Sequence, residues 1–116
     1  MPRIENYRPG HVTVDGAEQT KDVIVLPHRV VPNWWRRNGH SLVIEDLDEV
    51  LDDLPEHLIV GCGYASQLRP DPSVVEALAK RGTEVEALPT PDAVDRYAEL
   101  EAENPAAIAA ALHLTC

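Results

Sequence analysis

Three short apolar runs set the frame of the chain. Residues 22–26 read Asp-Val-Ile-Val-Leu and stop at Pro27. Residues 57–61 read His-Leu-Ile-Val-Gly, and residues 84–88 read Glu-Val-Glu-Ala-Leu and stop at Pro89. Runs of this length and composition, closed by Gly or Pro, predict buried strands. Between them the apolar period becomes helical. Leu47, Val50, Leu51 and Leu54 predict a helix over 45–54, with acids in its first turn and Pro55 at its end. Val74, Val75, Leu78 and Ala79 predict another over 73–81, stopped by Gly82. Val94, Tyr97, Ala98 and Leu100 predict a third, with Thr90 as N-cap, Pro91 in the first turn and an end near Asn104 and Pro105. Residues 10–19 alternate around Asp15-Gly16, a hairpin signal. Residues 30–40 predict a short strand or a surface loop. The alanine-rich tail 106–116 is open between helix and strand.

Strand, helix, strand with short connections predicts right-handed parallel crossovers. Two such units, Val23 to Leu58 and Leu58 to Val85, predict a small α/β sheet within a single domain, residues 1–116. In such sheets ligands bind beyond the carboxyl ends of the strands. That rule points at Gly61-Cys62-Gly63 and at Pro27-His28.

Composition narrows the function classes. The formal charge is −10, from 20 acids against 10 bases. A phosphate-backbone binder needs a basic footprint, so nucleic acid is not an expected partner. No apolar run approaches the ~18–20 residues that span a bilayer, and the N-terminus lacks a secretory layout. A cytoplasmic protein without membrane insertion is the expectation. Scarce Lys (only Lys21 and Lys80), excess acid and no Phe fit a protein adapted to strong salt, whose acidic surface holds water. An ordinary acidic protein is the alternative.

Few residues carry chemistry in a recognisable pattern. Gly61-Cys62-Gly63 follows a strand, as a dinucleotide loop would, but Ser66 stands where the third glycine belongs and the next helix begins too late. A tight strand exit is the favoured reading. Cys62 needs a base to act as nucleophile, and His28, His40 and His113 can reach it only through the fold. A buried filler thiol is favoured. The five histidines lack ligand spacing, so no metal and no cofactor is expected. Trp34-Trp35-Arg36-Arg37 is the most unusual stretch. Adjacent residues on an extended segment face opposite ways. Either one Trp enters the core while the arginines pair with local acids, or the four form a partner surface, since Trp and Arg concentrate at interface hot spots. Asp52-Asp53 and the acids at Asp46, Asp48 and Glu49 predict a solvated face.

Four segments occur in order: Trp35-Arg36-x-x-Gly39-His40; Ile59-Val60-Gly61-Cys62-Gly63; Leu88-Pro89-Thr90 with Ala93, Val94 and Tyr97; and His113-Leu114-Thr115-Cys116. With these, over residues 4–116, the chain resembles the small-domain family that includes the adipogenesis-associated domain protein and the mitochondrial NADH dehydrogenase (complex I) assembly factor 3. The resemblance implies a three-layer α/β fold with a central mixed sheet. It implies that 107–114 is a strand antiparallel to the others, and it implies no established enzymatic activity. The family often has Gly-Thr-Gly with a further Gly where this chain has Cys62 and Ser66, which weakens any anion-binding role for the loop. The assembly role belongs to the mitochondrial branch.

Two functions are therefore expected. One is a non-catalytic interaction or assembly module that contacts another protein through Trp34, Trp35, Arg36 and Arg37. The other is a small-ligand binder or thiol-dependent enzyme with a pocket formed by Arg36, His40, Gly61, Cys62 and Gly63.

Overall fold

The computed structural model describes residues 3–38 and 40–115. Ten strands and two helices form in it. The strands are Ile4–Arg8 (β1), His11–Val14 (β2), Ala17–Gln19 (β3), Val23–Val25 (β4), Val30–Val31 (β5), Ser41–Leu42 (β6), His57–Cys62 (β7), Arg69–Pro70 (β8), Glu84–Leu88 (β9) and Ile108–His113 (β10). The helices are Pro72–Lys80 (α1) and Thr90–Glu103 (α2). A central mixed sheet has the order β5-β4-β10-β7-β9. β1, β2 and β3 make a separate antiparallel meander, and β6 pairs with β8 in parallel.

The apolar runs land where their pattern places them. The inner strands β4, β10 and β7 are buried on both faces and are almost continuously apolar, whereas β9, at the sheet edge, is only partly buried and keeps Glu84 and Glu86. Ile24, Leu58, Val60, Cys62, Ala109 and Ala111 face one side, with Val74 and Leu78 of α1. Val23, Val25, Ile59, Ile108, Ala110 and Leu112 face the other, with Ala93 and Tyr97 of α2 and Ile4, Val12 and Val14 of the meander. The result is three layers around one mixed sheet. The Asp15-Gly16 hairpin forms between β2 and β3. Both residues have positive φ, 51° and 82°, as a two-residue hairpin turn of this kind requires. The strand before it, β1, has no clear sequence signal, because Ile4 is its single buried residue among polar neighbours.

The crossover from β7 through α1 to β9 forms as expected, with β7 and β9 parallel. The expected Val23–Leu58 crossover does not. β4 is antiparallel to β10, and β10 is parallel to β7, so β4 and β7 run in opposite directions. The second crossover is instead β9–α2–β10. β10 is thus antiparallel to β4 alone and parallel to β7. Five apolar residues, Ile108 to Leu112, buried in the middle of the sheet outweigh the helical propensity of its alanines.

The expected helix over 45–54 is replaced by two short 3₁₀ segments, Ile44–Leu47 and Leu51–Asp53. An α-helix there would align like charges at i,i+4, pairing Glu45 with Glu49, Asp48 with Asp52 and Glu49 with Asp53. Two separate turns still bury Leu47 and Val50. Helix α1 starts at Pro72, with the Asp71 carboxylate accepting from the Ser73 amide at 2.9 Å. Gly82, at φ 89°, follows its end. Thr90 is not the cap of α2. Pro89 occupies that position, and the Thr90 side chain is used elsewhere.

Candidate functional site

The carboxyl ends of β7 and β10 meet the segment after β5 at a buried ionic cluster. Asp22 stands just before β4. Its Oδ1 accepts from the Leu114 amide at 2.9 Å. Its Oδ2 lies 2.8 Å from Nδ1 of His113 and 2.8 Å from Nη1 of Arg36. The Arg36 and His113 side chains are only 6% and 8% exposed. Arg36 Nη2 is also 3.0 Å from His113 Nδ1. A guanidinium only donates, so Nδ1 cannot serve both neighbours in the same protonation state. Burial works to raise the Asp22 pKa, but bonds from His113 and the Leu114 amide and the positive charge of Arg36 outweigh it and hold the carboxyl below its ordinary value. An ionised Asp22 selects the tautomer with the proton on Nδ1, donated to Oδ2. Arg36 is then held by Asp22 through an ion pair at Nη1, off the hydrogen-bond axis. Arg36 Nε and His113 Nε2 are buried without a hydrogen-bond partner among the described residues.

This cluster secures the Trp-Arg segment. The Asp22 carbonyl accepts from the Trp34 amide at 2.8 Å. The Arg36 guanidinium stacks over the Trp34 ring, 4.7 Å from its centroid. The Trp34 indole N–H donates to the Asp46 carbonyl at 2.9 Å, and the Asp46 carboxylate accepts from the amides of Arg37 and Val43. Trp34 is 8% exposed and Trp35 is 76% exposed. The two indoles split between core and solvent, as alternation on extended backbone requires. Arg36 points inward and Arg37 is exposed. Trp35 lies between two clefts. One, of about 530 Å³, runs to Glu45, Asp48 and Glu49. The other, of about 500 Å³, runs to Thr20, Lys21 and Thr115.

The glycine loop is engaged within the protein. The Gly63 amide donates to the Thr90 hydroxyl oxygen at 2.7 Å, and the Gly63 carbonyl accepts from the amides of Ser66 and Thr90. The Thr90 hydroxyl donates in turn to the His113 carbonyl at 2.6 Å. A Cβ on Gly61 would come within 2.9 Å of Leu112 Cδ2 and 3.0 Å of Thr90 Oγ1. Gly61 therefore lets α2 start close against the sheet. Its role is packing, with no amide of Gly63 left for a phosphate.

Cys62 and His113 are register partners on neighbouring parallel strands, so their side chains share a face. They are not joined as thiol and base. Among the described residues His113 Nε2 makes no hydrogen bond, and the Cys62 thiol is 3.7 Å from the Val60 carbonyl. Burial raises the thiol pKa, and Arg69 offsets this only in part. A protonated, buried thiol is a poor nucleophile. His40 is exposed, and its carbonyl accepts from the Arg69 amide at 3.0 Å. Gly39 and Cys116, which complete two of the sequence segments, lie outside the described residues. Among the described residues no group of three or more His, Cys, Asp or Glu could hold a metal ion, and no helix is long and apolar enough to cross a membrane.

The structure thus brings Arg36 to His113 and Asp22, and Gly61 and Gly63 to Thr90. Asp22 and Thr90 carried no functional signal in the sequence. Asp22 opens an ordinary strand and Thr90 reads as a helix cap.

Solved structures share this architecture. The structure described as MT938 is 28% identical over the whole of both chains, with a TM-score of 0.77. The conserved hypothetical protein PH1505 from Pyrococcus horikoshii OT3 is 28% identical over 98% of this chain and 99% of that one, with a TM-score of 0.76. A protein from Bartonella henselae, described as an outer membrane protein, is 23% identical over 99% and 96% of the two chains, with a TM-score of 0.83. At that identity the likeness is one of fold alone. Residues 4–113 match the family described as protein of unknown function (DUF498/DUF598), and the chain belongs to that family.

Proposed function

We propose that the chain is a non-catalytic interaction module, acting in the cytoplasm, that engages another protein through the 34–37 segment. One observation carries this. Trp35 is 76% exposed on a backbone fastened on both sides, by Trp34 and Arg36 to the core and by Arg37 to Asp46. A lone exposed aromatic is common on surfaces. One presented from a rigid base is a preorganised anchor, which loses little freedom on binding. In this arrangement Arg36 supports the surface from below, Trp35 is the anchor that makes the contact, and Arg37 lies exposed at its edge. The charge of −10 favours a protein over nucleic acid as partner. An assembly role like that of the mitochondrial branch is one form such a module takes.

A photo-reactive amino acid placed at position 35 and irradiated in the host cell tests the proposal. A discrete cross-linked protein is expected, absent when the same residue replaces exposed Val75. Equal labelling from both positions, or none from position 35, overturns it.

A further inference from the structure

The 530 Å³ cleft beside Trp35 has an uneven charge balance. Four acids line it, Glu45, Asp46, Asp48 and Glu49, against Arg29 and Arg37. The balance among groups still free to meet a partner is more acidic. Arg29 is tied to Asp53 at 2.7 Å and to the Glu49 carbonyl at 3.2 Å. Asp46 is used by the Arg37 and Val43 amides. The carboxylates of Glu45 and Asp48 make no ion pair among the described residues, and Glu49 reaches Arg29 only at 3.9 Å. Unpaired carboxylates therefore rim a cleft with an exposed indole on its wall and Val30 and Pro32 alongside.

We infer that this cleft takes a basic segment of a partner protein, one Lys or Arg lying along Trp35 and an apolar neighbour reaching the valine and proline. The inference rests on the interaction-module proposal above and adds the chemistry of the partner. The physical case has two parts. A cationic side chain gains from the face of an indole and buries its aliphatic stem there. Its charge then meets Glu45 and Asp48, which steers encounter and sets orientation. A second copy of this chain fits poorly, since each copy carries −10 and would bring acids to acids. Arg37 is the one cation in the cleft without an ion pair among the described residues, and it opposes such a partner.

The test is selection of a random peptide library on phage against the folded chain, with counter-selection on Trp35→Ala. Circular dichroism checks that each variant is folded, and all the substituted side chains are exposed. Enriched peptides are expected to be net basic with at least one large apolar residue. Their binding is expected to weaken about tenfold in the double variant Glu45→Gln, Asp48→Asn, to weaken with added salt, and to tighten in Arg37→Gln. Peptides that depend on Trp35 but are neutral or acidic overturn the basic-segment inference and leave the interaction module standing. If no enriched peptide depends on Trp35, both fall. Self-association by sedimentation that is lost in Trp35→Ala makes the occupant a second copy and also overturns the inference.

Discussion

Asp22 is the residue on which the most distant parts of the chain depend. Its carboxylate meets a guanidinium, an imidazole and an amide from segments up to 92 residues away. Asp22→Asn keeps the shape and removes the charge, leaving Arg36 buried without its counter-ion. Breaking a buried pair from one side costs about 3–5 kcal/mol, which urea unfolding at neutral pH would read. The pH dependence follows from the sign of the shift. The folded pKa of Asp22 lies below the unfolded value of 3.8, so its stabilisation is complete above 3.8 and is lost as pH falls through the folded pKa. The gap between wild type and Asp22→Asn should therefore close in acid. A gap that stays constant down to about pH 2 would show that ionisation of Asp22 is not its source. No sequence pattern announces this residue. An acid before a strand is ordinary, and only the finished topology brings it to Arg36 and His113.

The seam between α2 and the sheet shows how elements are joined. Thr90 bridges the exit of β7 and the end of β10 with one hydroxyl, which accepts from Gly63 and donates to His113. Thr90→Val keeps the volume and strands a buried amide and a buried carbonyl, at about 1–3 kcal/mol for each unsatisfied group. Gly61→Ala puts a methyl against Leu112 and Thr90 in the same seam, an overpacking cost of about 1–3 kcal/mol. Both should lower the urea midpoint with unchanged slope. A near-neutral Gly61→Ala would mean that α2 can shift away from β7. At this scale much was legible. β4, β7, β9 and both α-helices follow from period and punctuation, because their burial is local in cause. The 45–54 helix failed because apolar spacing is shared by one helix and by two 3₁₀ turns, and the acids decide between them. The direction of β10 was illegible because strand polarity is set by partners, not by the strand's own residues.

At the scale of the molecule, charge is the dominant feature. Twenty acids against ten bases on a chain this small repel one another across the surface. Added salt screens that repulsion, with a Debye length near ~3 Å at 1 M. The melting temperature should rise with potassium chloride, and rise less in a variant with several exposed acids, such as Glu76, Glu99 and Glu103, changed to Gln. A flat response in both would remove the proposed adaptation to strong salt. The candidate surface was legible in part. Trp34 to Arg37 stood out by composition, and alternation predicted that the two indoles would face opposite ways. Which one faces out, and that Arg36 turns inward, depended on Asp22 and on an indole bond to Asp46, neither of which is adjacent in sequence.

The position of β10 has a consequence for how the protein is made. It is the middle strand of the central sheet and the last of the ten in chain order. A ribosome delivers the chain from its N-terminus. During synthesis β4 and β7 therefore wait with open, apolar edges and no strand between them. Long-range pairing of this kind is slow and leaves sticky intermediates. The nascent chain completes its sheet only after residue 113 has emerged, in one late insertion that joins the β5-β4 and β7-β9 halves.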